Sequence, residues 1–254
     1  MIKTHILGFP RIGENRELKF ALENHWRGET TEEELHATAT ELRLKHWQYQ
    51  IESGLDFITV GDFALYDQMA DHIQLLGCEP ARFGFTEEQS ELQRYFTMVR
   101  GKSTEAHTCS HTHETWALEM TKWFDTNYHY MVPEFTAATA FKASTARLIN
   151  QIEQAKTLNH PIKVSLIGPL TFLLLGKSKQ PGFDQLELLE NLLPVYAQIL
   201  TELKAYGVEW VQLDEPILGL DLPGNYLAAF ERSYLQLKSS NVKILLATYF
   251  STTQ

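Results

Sequence analysis

The sequence predicts an α/β protein of the (β/α)8 TIM-type barrel class, with the barrel incomplete in this chain. Short apolar strands alternate with long helices, which implies a parallel sheet covered by helices. No G-x-G-x-x-G motif follows a predicted strand, so an open dinucleotide-binding sheet loses its main support. Polar residues follow the predicted strand ends, where barrel enzymes carry their chemistry. These are Pro10-Arg11, Gly61-Asp62, Gly168-Pro169, Asp214-Glu215 and Thr248-Tyr249.

The predicted strands are short apolar runs that cover residues 6–10, 55–60, 162–167, 208–213 and 242–249. The predicted helices cover 15–26, 32–53, 63–77, 137–158, 183–206 and 226–237, with a shorter one inside 83–101. Thr31 and Glu34 form a capping box, which opens the helix over 32–53. Gly54, Gly77 and Gly207 are the expected helix stops.

Composition restricts the classes of partner. The chain has 254 residues, 44% hydrophobic and 21% charged, which is ordinary for a globular domain with a substantial core. A net charge of −10 disfavours nucleic acid and anionic lipid, so an anion site must be a local basic patch. The two cysteines, Cys78 and Cys109, predict no disulfide framework. No signal peptide or membrane span is apparent, and we expect a cytoplasmic protein.

The number of strands falls short of a closed barrel. A barrel needs eight parallel strands, and this sequence offers about five. The last predicted strand is followed closely by the end of the chain at Gln254. We therefore expect residues 1–254 to be a piece of a longer protein, namely a barrel domain that is truncated before barrel closure. Such a domain exposes an apolar strand edge, which promotes association.

The segment GFPRIGENRELK, residues 8–19, is the first candidate site, with Arg11, Arg16 and Lys19 as its basic residues. Arg16 and Lys19 are three residues apart, so a helix would carry both on one face, within reach of one carboxylate or phosphate. The amino terminus of that helix adds free N–H groups and a favourable dipole for an anion. The alternative is a solvated helix face that also carries Glu17, and spacing alone favours this alternative.

Two further segments carry candidate groups. Residues 119–135 are rich in aromatic and amide side chains around Lys122, which is typical of a binding loop and equally of a packed connection. Asp214 and Glu215 end a strand, where carboxylates can bind a metal, a cation or a substrate hydroxyl. Consecutive side chains diverge, so we do not expect a paired acid and base. An ion pair or a cap at the top of the sheet is the alternative.

A cluster of potential metal ligands lies at His107, Cys109, His111 and His113. Alternate positions of an extended segment point to one face, so these side chains could converge. Structural zinc sites use C-x2–4-C and H-x3–5-H spacings instead, and this stretch is rich in Ser and Thr, as loops are. We assign no metal ligand in this chain, and the sequence leaves metal binding by the cluster open.

Three segments carry a resemblance to a known family. GFPRIG with RELK at 8–13 and 16–19, then 120–135, then QLDEP at 212–216, resemble cobalamin-independent methionine synthases, in order and over nearly the whole chain. These enzymes are 5-methyltetrahydropteroyltriglutamate–homocysteine methyltransferases. The resemblance implies a protein of two (β/α)8 barrels, of which this chain is part of the amino-terminal one. The His107 to His113 loop departs from the small residues of relatives, and we interpret it as local variation.

The resemblance also implies cofactors and site residues. In the family, the carboxy-terminal barrel holds a catalytic zinc and the homocysteine site, neither of which is expected in this chain, and no cobalamin is used. The amino-terminal barrel is expected to bind the triglutamate tail of the folate, for which Arg and Lys are suitable donors. The resemblance implies that Asp214 and Glu215 correspond to a motif of the catalytic barrel, and we do not expect them to be catalytic. The positions that match folate contacts of the family are Arg16, Glu17, Leu18, Lys19 and Lys122.

The implied reaction is methyl transfer from the folate nitrogen to the sulfur of homocysteine, with zinc lowering the thiol pKa. We predict no turnover by this chain alone, because it lacks the zinc ligands and the homocysteine pocket of the family. The alternative is a non-catalytic remnant or a regulatory binding module.

Overall fold

The computed structural model describes residues 2–102 and 116–250. The α-helices are α1 (Glu17–Trp26), α2 (Glu32–Glu52), α3 (Gln68–Leu75), α4 (Glu91–Arg100), α5 (Ala146–Lys156), α6 (Pro169–Leu174), α7 (Leu189–Ala205) and α8 (Gly224–Leu237). The strands are β1 (Ile58–Val60), β2 (Met120–Lys122), β3 (His129–Met131), β4 (Glu134–Phe135), β5 (Ile162–Ile167), β6 (Lys177–Ser178), β7 (Trp210–Asp214) and β8 (Lys243–Ala247). Short 3-10 helices cover Ala81–Phe83, Gln185–Leu188, Pro216–Gly219 and Lys238–Ser240.

The main sheet has four parallel strands in the order β1-β5-β7-β8. Val164 of β5 is opposite Val60 on one side and Val211 on the other. Helices connect consecutive strands of this sheet, so the predicted α/β class is confirmed. Within residues 2–102 and 116–250 the sheet has β1 and β8 as its edges, and closure into a barrel is not seen there.

The two faces of β5 and β7 differ in polarity because side chains alternate along a strand. One face meets the helices and carries the core residues Val164, Leu166, Val211 and Leu213, none more than 2% exposed. The opposite face is polar and also buried, and it carries Lys163, Ser165, Gln212 and Asp214. A polar inner face of this depth marks the region where a site can be built.

The first predicted strand, residues 6–10, is wrong. These residues are irregular, and Leu7 is 47% exposed. The backbone hydrogen bond that is formed near β1 lies just before both segments, where the Asp56 N–H donates to the Thr4 carbonyl at 3.0 Å. The carbonyls of Ile6 and Leu7 accept hydrogen bonds from side chains of the inner face instead. Tertiary hydrogen bonds thus replace the ladder that the apolar run predicted.

Most helix predictions are confirmed, but three helices begin later than predicted: α3 at Gln68, α7 at Leu189 and, by the largest shift, α5. Thr31 and Glu34 form the predicted capping box of α2. The helix predicted over 137–158 begins only at Ala146, because the preceding backbone bonds to the end of α3. The Lys142 N–H donates to the Leu76 carbonyl at 2.8 Å. The crossing is close at Gly77, where a Cβ would lie 2.6 Å from the Lys142 carbonyl oxygen.

Residues 119–135 are more regular than their composition predicted. Strands β2 and β3 form an antiparallel hairpin, and β4 pairs in parallel with β6. Tyr130, Met131 and Val132 are buried in the core. Strands of three residues are too short to show a period of two, so the pattern gave no signal.

None of the helices in the part of the chain that the structure describes is long and apolar enough to cross a membrane.

Candidate functional site

A cleft of about 440 Å³ lies at the carboxyl end of the sheet, between the N-terminal segment 7–12 and the residues that follow β1 and β7. Small-molecule pockets typically span about 300–1,000 Å³, so the cleft is of suitable size for a ligand. Its polar lining comes from Arg11, Asp62, Gln68, Tyr128, Ser165, Asp214 and Tyr249. Four of the five segments that the sequence marked therefore meet around one opening, whereas Gly168-Pro169 does not line it.

Side chains of the inner face hold the N-terminal segment against the sheet. The buried Lys163 ammonium donates to the Ile6 carbonyl at 2.6 Å and to the side-chain oxygen of Gln212. The Gln212 amide donates in turn to the Leu7 carbonyl at 3.1 Å. Lys163 and Gln212 thereby fix the backbone that leads into the basic segment, and neither was a predicted site residue.

Asp62 and Asp214 are the carboxylates of the cleft. Asp62 accepts a hydrogen bond from the Phe9 N–H at 2.7 Å, and Asp214 accepts one from the Gln212 amide at 2.7 Å. Burial raises the pKa of each carboxyl to about 6, against the opposing effect of these hydrogen bonds. Burial also lowers the pKa of Lys163 to about 8, although both carboxylates favour its charge. The cleft therefore contains groups that exchange protons near neutral pH.

Glu215 points away from Asp214, as their adjacency predicted. Its carboxylate accepts hydrogen bonds from the N–H groups of Leu170 and Thr171 at 3.1 and 2.7 Å, at the start of α6. The hydroxyl of Tyr234 donates to the same carboxylate at 3.0 Å. Burial raises its pKa to about 7. Glu215 thus caps a helix, which is the structural alternative considered for this position.

Arg16 and Lys19 of the opening segment are exposed, but they do not share a helix face. Arg16 precedes α1 and has a left-handed backbone, with φ of 63°. Lys19 lies in the first turn, and its ammonium is 3.3 Å from the Glu23 carboxylate. Because Arg16 is outside the helix, the spacing argument does not describe the pair. Arg11 turns inward, and its guanidinium donates to the Tyr66 carbonyl.

Glu17 and Leu18 have structural positions at the start of α1. The Glu17 carboxylate accepts from the Asn15 N–H at 2.9 Å, and hydrogen bonding to its own N–H lowers its pKa. This carboxylate occupies the amino terminus that an external anion would use. Gly13 makes room for it, since a Cβ there would lie 2.1 Å from Glu17 Oε2. Leu18 is 0% exposed, and its N–H donates to the Ile12 carbonyl.

Lys122 is exposed at the end of β2, opposite His129 of the hairpin. The hairpin is attached to α3 through Asp67, which accepts from the Met131 N–H and the Tyr128 hydroxyl, both at 3.2 Å. Tyr128 also lines the cleft, so the hairpin borders it. Lys122 itself does not line the cleft, and the same is true of the two basic residues at 16 and 19.

Lys163 and Gln212, which were not predicted as site residues, are recognisable in the sequence as polar residues within apolar strands. A strand of a parallel sheet that is covered on both faces is expected to be continuously apolar. Lys163 and Ser165 interrupt β5 at alternate positions, and Gln212 and Asp214 interrupt β7 in the same way. Register places Ser165 opposite Gln212, which assembles the polar face.

The described residues offer no metal centre. Within 2–102 and 116–250, no three His, Cys, Asp or Glu side chains are grouped so that they could hold a metal ion. His107, Cys109, His111 and His113 lie outside the described residues.

A parallel sheet with helices on one face, a buried polar face on the other and a cleft at its carboxyl end defines an α/β protein. More particularly, the chain belongs to the cobalamin-independent synthase family, because residues 3–254 match the family profile described as "Cobalamin-independent synthase, N-terminal domain". The family predicted from the motifs is therefore confirmed.

Curated relatives agree with this assignment. The chain is 50% identical over 252 residues to a 5-methyltetrahydropteroyltriglutamate–homocysteine methyltransferase of Actinobacillus pleuropneumoniae, covering 99% of this chain and 32% of the relative. It is 51% identical to the protein of the same name from Paraburkholderia xenovorans, with the same coverage. The chain thus spans about a third of the length of these relatives.

The fold resembles that of a putative vitamin-B12 independent methionine synthase from Listeria monocytogenes. The TM-score is 0.57 at 15% identity, over 96% of this chain and 63% of that one. A B12-independent methionine synthase from Shewanella sp. W3-18-1 gives a TM-score of 0.54 at 18% identity, over 86% and 53% of the two chains. At these identities the comparisons support the fold alone.

Proposed function

We propose that this chain is the folate-binding, amino-terminal part of a zinc-dependent methyltransferase. The complete enzyme would move a methyl group from 5-methyltetrahydropteroyltri-L-glutamate to L-homocysteine to give L-methionine, in the cytoplasm. The single observation that carries the proposal is membership of the family over residues 3–254, with relatives of that named activity at half identity.

The role proposed for this chain is to bind the glutamate tail of the folate. A triglutamate tail carries several carboxylates, and exposed Arg and Lys side chains are its natural partners. Arg16, Lys19 and Lys122 are exposed, and the ion pair between Lys19 and Glu23 is on the surface, so a ligand can reach all three charges. We assign Glu17 and Leu18 to shaping the turn that presents Arg16 and Lys19.

Methyl transfer itself is not assigned to any residue of this chain. In the proposed complete enzyme a zinc ion would activate the homocysteine thiol. The residues described here include no cluster that fits such an ion. We therefore propose that the isolated chain binds folate without forming methionine, and a steady-state assay that detects methionine would contradict this.

A calorimetric titration tests the binding role. The tri- and monoglutamate forms of 5-methyltetrahydrofolate are titrated into the chain and its Arg16→Ala, Lys19→Ala and Lys122→Ala variants. Each variant should lose about three- to tenfold affinity for the triglutamate, since each removes one exposed charge-assisted contact. Affinity for the monoglutamate should change less.

Lys156→Ala is the matched control, because Lys156 is exposed and pairs with Glu153 on α5, outside the candidate segments. It should leave both affinities unchanged. Equal losses for the two ligands in the three variants would reject the tail assignment. Absence of binding to either ligand by the unmodified chain would reject the proposed function of the chain and favour the alternative of a non-catalytic remnant.

A further inference from the structure

A second pocket, of about 190 Å³, opens among helices α2, α3 and α5. It shares no lining residue with the cleft at the strand ends. Arg43, Arg147, Asp71 and Gln151 form its inner wall, and His36 lies at its exposed rim. The pocket is therefore a separate cavity that is strongly polar although it lies between helices.

Arg43 is a buried guanidinium with neutral partners. Its residue is 7% exposed, and its N–H groups donate to Thr40 Oγ1 at 2.8 Å and to Gln154 Oε1 at 2.9 Å. Its carbon Cζ lies 5.2 Å from the ring centre of Phe63. Among the residues that the structure describes, no carboxylate lies within 4.0 Å of it. Buried Arg side chains are rarely found without an ion partner, so the charge of Arg43 favours an anion in the pocket.

A second guanidinium lines the same pocket. Arg147 is 3.2 Å from Asp71 Oδ1 and also donates to the Asp71 carbonyl at 3.3 Å. Asp71 is thus paired with Arg147, whereas Arg43 has no carboxylate within 4.0 Å among the residues described. Burial, together with the neighbouring charge of Arg147, lowers the pKa of Arg43 to about 10, so both groups are still charged at pH 7.

Gln151 supplies an independent sign of an absent ligand. The residue is 7% exposed, and its side-chain Oε1 is buried without a hydrogen-bond partner among the residues described. Buried polar atoms are rarely left without a partner unless a water or ligand supplies it. This oxygen is an acceptor, so it would not itself bind an anion. A half-turn of the amide, which exchanges its oxygen and nitrogen, would place N–H groups there that donate to an oxyanion.

We propose that this pocket binds a small oxyanion of the phosphate or carboxylate class. Guanidinium groups bind both classes through paired N–H donors, and Arg43 and Arg147 would share the ligand charge. The volume of about 190 Å³ lies below the range of drug-sized pockets, about 300–1,000 Å³, and suits a single anionic group. The site is independent of the folate-binding role proposed above.

Thermal unfolding and calorimetry of the full chain test the site. Inorganic phosphate and glutarate are each titrated at pH 7.5, with ionic strength held constant by sodium chloride. Saturable binding is expected, with a rise in unfolding temperature of about 5 °C at a hundredfold excess over Kd. Comparing phosphate with glutarate distinguishes a tetrahedral from a carboxylate ligand.

Variants of Arg43 test whether the anion binds in this pocket. Arg43→Met should abolish saturable binding, and Arg43→Lys should weaken it at least about tenfold, since Lys keeps the charge without the paired donors. Lys45→Met is the control, because Lys45 is on the same helix but pairs with Glu14 at 3.0 Å. Absence of saturable binding by the unmodified chain, or wild-type affinity in Arg43→Lys, would overturn the proposal. Should Arg43→Met fail to fold, these two measurements still decide the question.

Discussion

Strands β5 and β7 present an apolar face to the helices and a polar face to the N-terminal segment, and both faces are buried. On the apolar face, removal from water is itself favourable. On the polar face, the same removal is costly unless each group finds a partner, and Lys163 and Gln212 do so by holding the Ile6 and Leu7 carbonyls. Burial alone therefore does not distinguish core from site, whereas the hydrogen-bond partners do.

The largest expected effect lies on the apolar face. Leu213→Ala should lower the free energy of unfolding by about 3 kcal/mol, because Leu213 is 0% exposed and the change leaves a cavity. Urea denaturation followed by circular dichroism measures this. Leu235→Ala is the control, since Leu235 is 67% exposed and should change stability by less than about 0.5 kcal/mol. Equal losses in the two variants would mean that this face is not the core.

On the polar face, Lys163→Met should have a smaller effect on stability and a local effect on structure. The change removes the shortest hydrogen bond to the Ile6 carbonyl and leaves the one from the Thr59 hydroxyl at 3.2 Å, at a cost of about 1–2 kcal/mol. Removal of a buried charge offsets part of that cost. Amide hydrogen exchange should accelerate in the segment 5–12 and remain unchanged in α7.

Lys243→Met is the matched control for that experiment. Lys243 is exposed on β8 and pairs with Glu209 at 3.2 Å. It should alter neither stability nor exchange in the segment 5–12. If Lys163→Met left exchange in that segment unchanged, the anchoring role of the polar face would be wrong.

The pH dependence of stability is a further difference between the two faces, because the polar face carries the carboxyl of Asp214. Burial raises the pKa of Asp214 from 3.8 to about 6, so the folded protein keeps a proton that the unfolded chain releases. The free energy of unfolding should therefore fall as the pH rises through this window. Asp214→Asn should remove about 2 kcal/mol of that fall, measured by denaturation at pH 4, 5, 6 and 7. An identical pH profile in the variant would contradict the assignment.

The smallest expected effect is that of Ser165→Ala. Gln212 donates to Ser165 Oγ at 3.1 Å, but the same amide also reaches the Leu7 carbonyl and Asp214. Two N–H groups thus share three acceptors, and loss of one should cost about 0.5 kcal/mol or less. A loss above about 2 kcal/mol would show that Ser165 has a role beyond this network.

Local signals in the sequence predicted the helical layer well. Thr31 and Glu34 predicted the start of α2 because a capping box depends on neighbouring residues alone. The start of α5 could not be predicted in this way. It depends on the Lys142 and Ser144 N–H groups finding the carbonyls of Leu76 and Leu75, far away in the chain.

The candidate site was only partly predictable. Polar residues at strand ends located the cleft, and family resemblance marked Arg16, Lys19 and Lys122, whose binding role stays a prediction. Lys163 and Gln212 were not marked, because their meaning depends on the register of β5 and β7 and on the path of the N-terminal segment. The strand register and the path of the N-terminal segment cannot be predicted from a single sequence.

Asp67 connects helix α3 with the hairpin of β2 and β3, which is far from it in the sequence. Its carboxylate caps α3 by accepting from the Ala70 N–H at 2.8 Å, and it accepts from Tyr128 and Met131 of the hairpin that carries Lys122. Among relatives, positions 67 and 128 are therefore expected to covary. A change at either position removes the hydrogen-bond partner of the carboxylate at 67 or of the hydroxyl at 128. Redesign of ligand preference through this hairpin would have to treat the two positions as one unit.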